Sequence, residues 1–195
     1  MNFLAHFHLA WPDKALIAGG LEGDYYKGLL SGKLSPGIEQ GIKLHRAIDA
    51  HTDSHPVIVE LRRHFPPDIR RYAGILIDIS FDHYLTRHWA QFSPLALPEF
   101  NHRVYRALSL HRQELSPGAQ AMASRMLALD ILGRYHDWHA VTATAIRIGE
   151  RFTRGNPLLD VERQLAPVRE RLEQAFLEFY PQLLEFSEKE RIKMN

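Results

Sequence analysis

The stretch Ser35-Pro36-Gly37-Ile38-Glu39-Gln40-Gly41-Ile42-Lys43-Leu44-His45-Arg46-Ala47-Ile48-Asp49-Ala50-His51-Thr52-Asp53 decides the fold. Ser35 stands where a helix N-cap is expected, and Pro36 occupies a first helical position, where its missing N–H costs nothing. Ile42, Leu44 and Ile48 flank a polar face on which His45, Asp49 and Asp53 fall at i, i+4 and i+8. Side chains one turn apart lie about 5–6 Å from each other, so a histidine and a carboxylate there can reach one divalent ion. The same pattern also describes a solvated polar face.

Helical periodicity continues outward on both sides. It predicts helices over Lys14–Leu30 and Pro36–Asp53, where His55-Pro56 ends that region or starts a short helix to His64, then Pro67–Trp89, with Ile75, Ile79 and Asp82 at helical spacing. Ser93–Pro98 reads as a loop. Further helices are expected at Glu99–Gln113, Pro117–Leu132, Ala140–Phe152 and Leu158–Leu184, where Leu165, Leu172, Phe176 and Phe179 form one apolar stripe and Pro181 bends or restarts the helix. Alternating β-branched runs are missing. The expected fold is all-α, a single-domain helical bundle over residues 1–195 with seven to nine helices.

Composition narrows the chemistry. The 195 residues contain no cysteine, which excludes disulfides, thiolate-held zinc, iron–sulfur clusters and a cysteine nucleophile. The net charge of +1 gives no excess for nucleic acid. The N-terminus lacks a basic targeting region, and no apolar run approaches the ~20 residues of a membrane span, so a cytoplasmic protein is expected. No phosphate-binding glycine loop, nucleophile elbow or dinucleotide fingerprint occurs. The twelve histidines stand out, eight of them before residue 90.

Three other segments join the first. Asp78-Ile79-Ser80-Phe81-Asp82-His83 puts two carboxylates at i, i+4 in an apolar helix, where each needs a metal or an ion-pair partner such as Arg46 or Arg87. Gly23-Asp24 precedes Tyr25-Tyr26-Lys27, and His6 and His8 lie in an apolar N-terminal segment. Histidine and carboxylate without cysteine suit Mn²⁺, Mg²⁺, Fe²⁺ or zinc in an open site, which favours hydrolysis by metal-activated water. The Tyr135-His136-Asp137-Trp138-His139 cluster reads as loop capping, and His51 is left outside the site.

Met1-Asn2-Phe3-Leu4-Ala5-His6, Gly23-Asp24 with Lys27-Gly28, Leu44-His45-Arg46-Ala47-Ile48-Asp49 with Thr52-Asp53-Ser54-His55-Pro56, and Arg70-Arg71-Tyr72-Ala73-Gly74-Ile75 with Asp78 and Phe81-Asp82-His83 together resemble the acyl carrier protein phosphodiesterases. The strong motifs cover residues 1–90, and Phe179-Tyr180-Pro181 extends the likeness. The resemblance implies a fold like that of the HD-type metal-dependent phosphohydrolases. It implies hydrolysis of the phosphodiester between 4′-phosphopantetheine and a serine of holo-acyl carrier protein, with Mn²⁺ first and Mg²⁺ or Fe²⁺ as alternatives. On that resemblance Asp24, His45, Asp49, Asp82 and His83 are the expected metal set, with Asp49, Asp78, His6 and Arg46 as catalytic residues, Arg46 on the phosphate. Arg62, Arg63, Arg70 and Arg71 are the expected docking patch for the acidic carrier protein, with no nucleic acid or membrane partner. Two other readings stand beside this one, an HD-like hydrolase of nucleotides or small phosphoesters and a non-catalytic helical module gripping an acidic partner.

Overall fold

Pro36 does open a helix, and Ser35 sits at its N-cap position with extended backbone (ψ 147°), but the Ser35 hydroxyl turns away to Glu114 and caps nothing. This element, α3 (Pro36–Ser54), belongs to a computed structural model that describes residues 1–151 and 157–194. Among the described residues there is no strand, and the all-α expectation holds. The other helices are α1 (Phe3–Ala10), α2 (Lys14–Glu22), α4 (Pro56–Arg63), α5 (Ala73–Arg87), α6 (Trp89–Phe92), α7 (Leu97–Leu110), α8 (Pro117–Leu129), α9 (Trp138–Gly149), α10 (Val161–Leu165) and α11 (Arg169–Met194). None is long and apolar enough to cross a membrane.

α1 is the buried axis of the bundle. Leu4 to Ala10 are all buried, and the helix packs against α2, α3, α5 and α11. A helix covered on every side carries no amphipathic stripe, which is why periodicity does not announce it. Its first turn is capped from a distant part of the chain. Both Asp82 oxygens accept backbone N–H groups, from Leu4 at 2.9 Å and Ala5 at 3.0 Å. Free N–H groups at a helix start need such acceptors.

α2 and α3 pack backbone to backbone. A Cβ built on Gly41 would lie 2.6 Å from the Leu16 carbonyl oxygen and 2.7 Å from the Gly19 Cα, so two glycines allow the approach. The side chains of α11 complete the core, with Leu172, Phe176 and Phe179 buried as the apolar stripe requires and Phe176 5.4 Å from the ring of Phe81. Leu165 is buried too but belongs to the separate α10.

Several boundaries move. α2 stops at Glu22 rather than Leu30, because Gly23 begins a turn and Gly28 and Gly32 take φ of +97° and +74°. α5 starts at Ala73 rather than Pro67, after a single 3₁₀ turn over Arg70–Tyr72. α8 ends at Leu129, where Asp130 adopts a left-handed φ of 44°. The Phe152 end of the helix expected from Ala140 lies outside the described residues. Short 3₁₀ turns interrupt the C-terminal expectation before α11 runs through Pro181 to Met194.

Candidate active site

The i, i+4 spacing on α3 delivers what it promises. His45 Nε2 lies 3.2 Å from Asp49 Oδ2. From α1, His6 lays its ring over His45 at 4.0 Å between centroids and 19° between planes, and its Nε2 reaches Asp49 Oδ1 at 3.1 Å. Asp24 enters from the turn after α2, its Oδ1 3.8 Å from His45 Nε2. That approach needs Gly23, since a Cβ there would sit 2.6 Å from the His45 ring. The Met1 ammonium bridges to the second helix of carboxylates, 3.2 Å from Asp49 Oδ1 and 3.0 Å from Asp78 Oδ1 on α5.

The side chains form a dish. His6 and His45 are 4% and 7% exposed and make the floor, while Asp78, Asp49 and Asp24 are 37%, 42% and 46% exposed and make the rim. Burial, reinforced by the neighbouring His45, lowers His6 to about 3, so its imidazole is neutral at ordinary pH. Burial works against the Asp49 charge, but hydrogen bonds from His45 and His6 and the Met1 ammonium hold its carboxyl well below the usual range. Burial likewise opposes the Met1 ammonium, and Asp78 and Asp49 overcome it and raise the amine to about 10. Burial pushes Asp78 upward, against the pull of that amine.

Neutral imidazole and ionised carboxylate are the ligand forms of these side chains. One ligand atom from each of His6, His45 and Asp49 lies within 4.8 Å of the others, a group of three that fits a divalent cation. His6, expected among the catalytic residues and next in line for the metal set, lies in this group of three.

Asp82 and His83 were expected in the metal set, and the structure does not bring them to this group. Asp82 is fully buried beneath α1 with both oxygens on backbone N–H groups, and burial outweighs those bonds to lift it to about 7. His83 Nδ1 donates to the Tyr135 carbonyl at 2.9 Å, and its ring meets Trp138 at 5.2 Å. Arg46, expected on the phosphate, donates instead to the carbonyls of Tyr26 and Gly28, both at 2.9 Å.

The arginine patch is less charged than its sequence. Arg62 pairs with Asp53 at 2.5 Å and Arg63 with Glu60 at 2.9 Å. Arg70 donates to the Phe65 carbonyl, and Arg71 lies 4.6 Å over the Tyr72 ring. Asp137 caps α9 through the His139 N–H at 2.9 Å, as loop capping requires. His51 stacks on Phe186 at 4.0 Å, away from the group. The Met1 amine was missed, because a backbone terminus has no side-chain signature.

A family model described as acyl carrier protein phosphodiesterase matches residues 1–183. Among curated proteins, one named Acyl carrier protein phosphodiesterase from Klebsiella pneumoniae subsp. pneumoniae is 33% identical over 193 residues, covering 98% of this chain and 100% of the relative. Proteins of the same name from Enterobacter sp. (strain 638) and Yersinia pestis are 32% and 30% identical, covering 94% and 98% of this chain and 96% and 100% of theirs. No solved structure matches. The chain belongs to the acyl carrier protein phosphodiesterase family.

Proposed function

We propose that this protein hydrolyses the phosphodiester joining 4′-phosphopantetheine to a serine of holo-acyl carrier protein, releasing apo-carrier protein and 4′-phosphopantetheine. His6, His45 and Asp49 hold a divalent cation, Mn²⁺ first, with Mg²⁺ or Fe²⁺ as alternatives, and Asp24 stands at its edge. The observation that carries this reading is the group of two buried imidazoles and one carboxylate within 4.8 Å, in a chain matched to the family over residues 1–183. When bound, such a cation supplies Lewis acidity and a water acidified toward hydroxide.

The chain's own groups do the rest. Before a cation arrives, His45 and His6 hold Asp49 from two sides, which keeps the three donors together. The Met1 ammonium places a buried positive charge between Asp49 and Asp78, which offsets part of their mutual repulsion and holds the two carboxylates together. The leaving serine oxygen needs a proton. Asp78, a carboxylate at the rim partly open to solvent, is the group we assign to relay a proton from water to it. The open rim favours a phosphodiester presented on a protein surface over a nucleotide, which calls for an enclosing pocket.

The test is mass spectrometry of purified holo-acyl carrier protein after incubation with the protein and Mn²⁺, and again after chelation. The expected result is conversion to apo-carrier protein that chelation stops and Mn²⁺ or Mg²⁺ restores. Unchanged carrier protein together with turnover of nucleotides would give the reading to a small-phosphoester hydrolase. Full activity in a verified metal-free sample would remove the cation.

A further inference from the structure

The scissile bond of the proposed reaction sits on the partner's own serine. No flexible arm separates that phosphorus from the carrier's surface, so the docking face has to border the His6–His45–Asp49 group. This sets aside a groove of about 910 Å³ lined by Trp11, Lys14, Arg103 and Arg106. Trp11 follows the end of α1 opposite Met1, and that helix is about 12 Å long at 1.5 Å per residue. It also weakens the arginines of α4, since Arg62 and Arg63 already answer Asp53 and Glu60.

The segment between α2 and α3 borders the group directly. It begins with Asp24, 3.8 Å from His45, and Lys27 is close enough to act on the Asp24 charge. Its base is fixed. Arg46, the residue after His45, holds the carbonyls of Tyr26 and Gly28, and the Tyr25 ring lies so close to Gly118 that a Cβ there would come within 2.6 Å of it. Its tip is bare. Leu29 is 91% exposed, the most exposed large hydrophobic side chain among the described residues, and Lys27 and Lys33 beside it are exposed as well. From Tyr25 to Ile38 the sequence has two lysines and no acid. A rigidly based loop with a bare leucine between two exposed lysines is unusual, because an isolated exposed apolar tip contributes nothing to the fold.

We propose that residues 25–34 are the docking surface for the carrier protein, with Leu29 seated on an apolar spot of the partner and Lys27 and Lys33 facing its carboxylates. This rests on the proposed function, because the occupant is the acidic, helical carrier protein that the function requires. Arg46 is the brace that keeps the loop beside the cation group, which explains a guanidinium spent on two backbone carbonyls.

The experiment measures kcat and KM for holo-acyl carrier protein in wild type, Leu29→Asp and Lys33→Glu, with thermal unfolding as the check on folding. Both substituted residues lie on the surface and outside the cation group. For Leu29→Asp we expect KM to rise about 10-fold or more with kcat within about 2-fold, the behaviour of an interface anchor. For Lys33→Glu we expect a rise of about 3–10-fold and a flatter dependence on salt. An unchanged KM in Leu29→Asp overturns the proposal, and so does a fall in kcat at saturating carrier protein. If wild type leaves holo-carrier protein intact, the proposed function fails separately, and calorimetric binding of apo-acyl carrier protein decides the surface. Binding lost in Leu29→Asp then supports it, and no binding to wild type overturns it.

Discussion

Helix α1 carries two buried histidines two residues apart, and they meet opposite kinds of neighbour. His6 faces Asp49 and His45 at a rim open to solvent. His8 faces the Tyr180 hydroxyl at 2.8 Å and the rings of Trp89 and Phe100 at 5.0 and 5.8 Å, an aromatic surround. The carboxylates divide in the same way. Asp49 is half-exposed and held by imidazoles and an ammonium, whereas Asp82 is sealed and held by two backbone amides. Burial lowers His6 to about 3 and His8 to about 4, so a strong shift marks both. What separates a site from a structural pair is a charged partner that also reaches solvent, because only that arrangement admits a substrate.

The largest effect expected from this division is on turnover. Asp49→Asn keeps the volume and removes the charge beside the cation group, and it should lower kcat by a factor of ~10²–10³ while the protein stays folded. Steady-state kinetics alongside circular dichroism checks it, and near wild-type kcat would make Asp49 structural and erase the distinction. Asp82→Ala should do the reverse. Loss of the cap and of the acceptor for two buried N–H groups should cost about 2–4 kcal/mol of stability. Denaturant unfolding reads that loss directly. A variant as stable as wild type but without activity would move Asp82 to the reacting side.

The smallest effect concerns His8 and pH. Between an ordinary 6.5 and its own value of about 4, the unfolded chain binds a proton that folded His8 refuses. The contribution is therefore complete above pH 6.5 and is lost as pH falls toward 4. Unfolding measured at pH 7 and pH 5 should show His8→Phe losing less stability on acidification than wild type. Equal losses would mean that the aromatic pocket does not hold His8 neutral.

The half of the site that lies on one helix was legible. His45 and Asp49 announce themselves by spacing, and α3 forms almost as its sequence prescribes. The pairing of His6 with Asp49 spans 43 residues and no local pattern encodes it. Asp82 and His83 have the composition of ligands, yet their partners are the amides of Leu4 and Ala5 and the carbonyl of Tyr135. Backbone groups are the same at every residue, so sequence does not reveal such a bond. α1 escaped for the related reason that its cap comes from Asp82, nearly eighty residues away. The reading of Lys14–Leu30 ran long because Ala15 to Leu21 continues an apolar helical pattern into Gly23, where the chain turns.

The close passage of α2 against α3 has a consequence for any survey that replaces every residue in turn. A methyl group on Gly19 or Gly41 would separate the two helices, and one on Gly23 would displace the His45 ring. Such a survey, scored by growth or turnover, would rank these three glycines with His45 and Asp49. None of them offers an atom to a substrate or a cation. The ranking would report how little room the scaffold leaves, and only a variant that keeps its shape while changing its charge would pick out the residues that react.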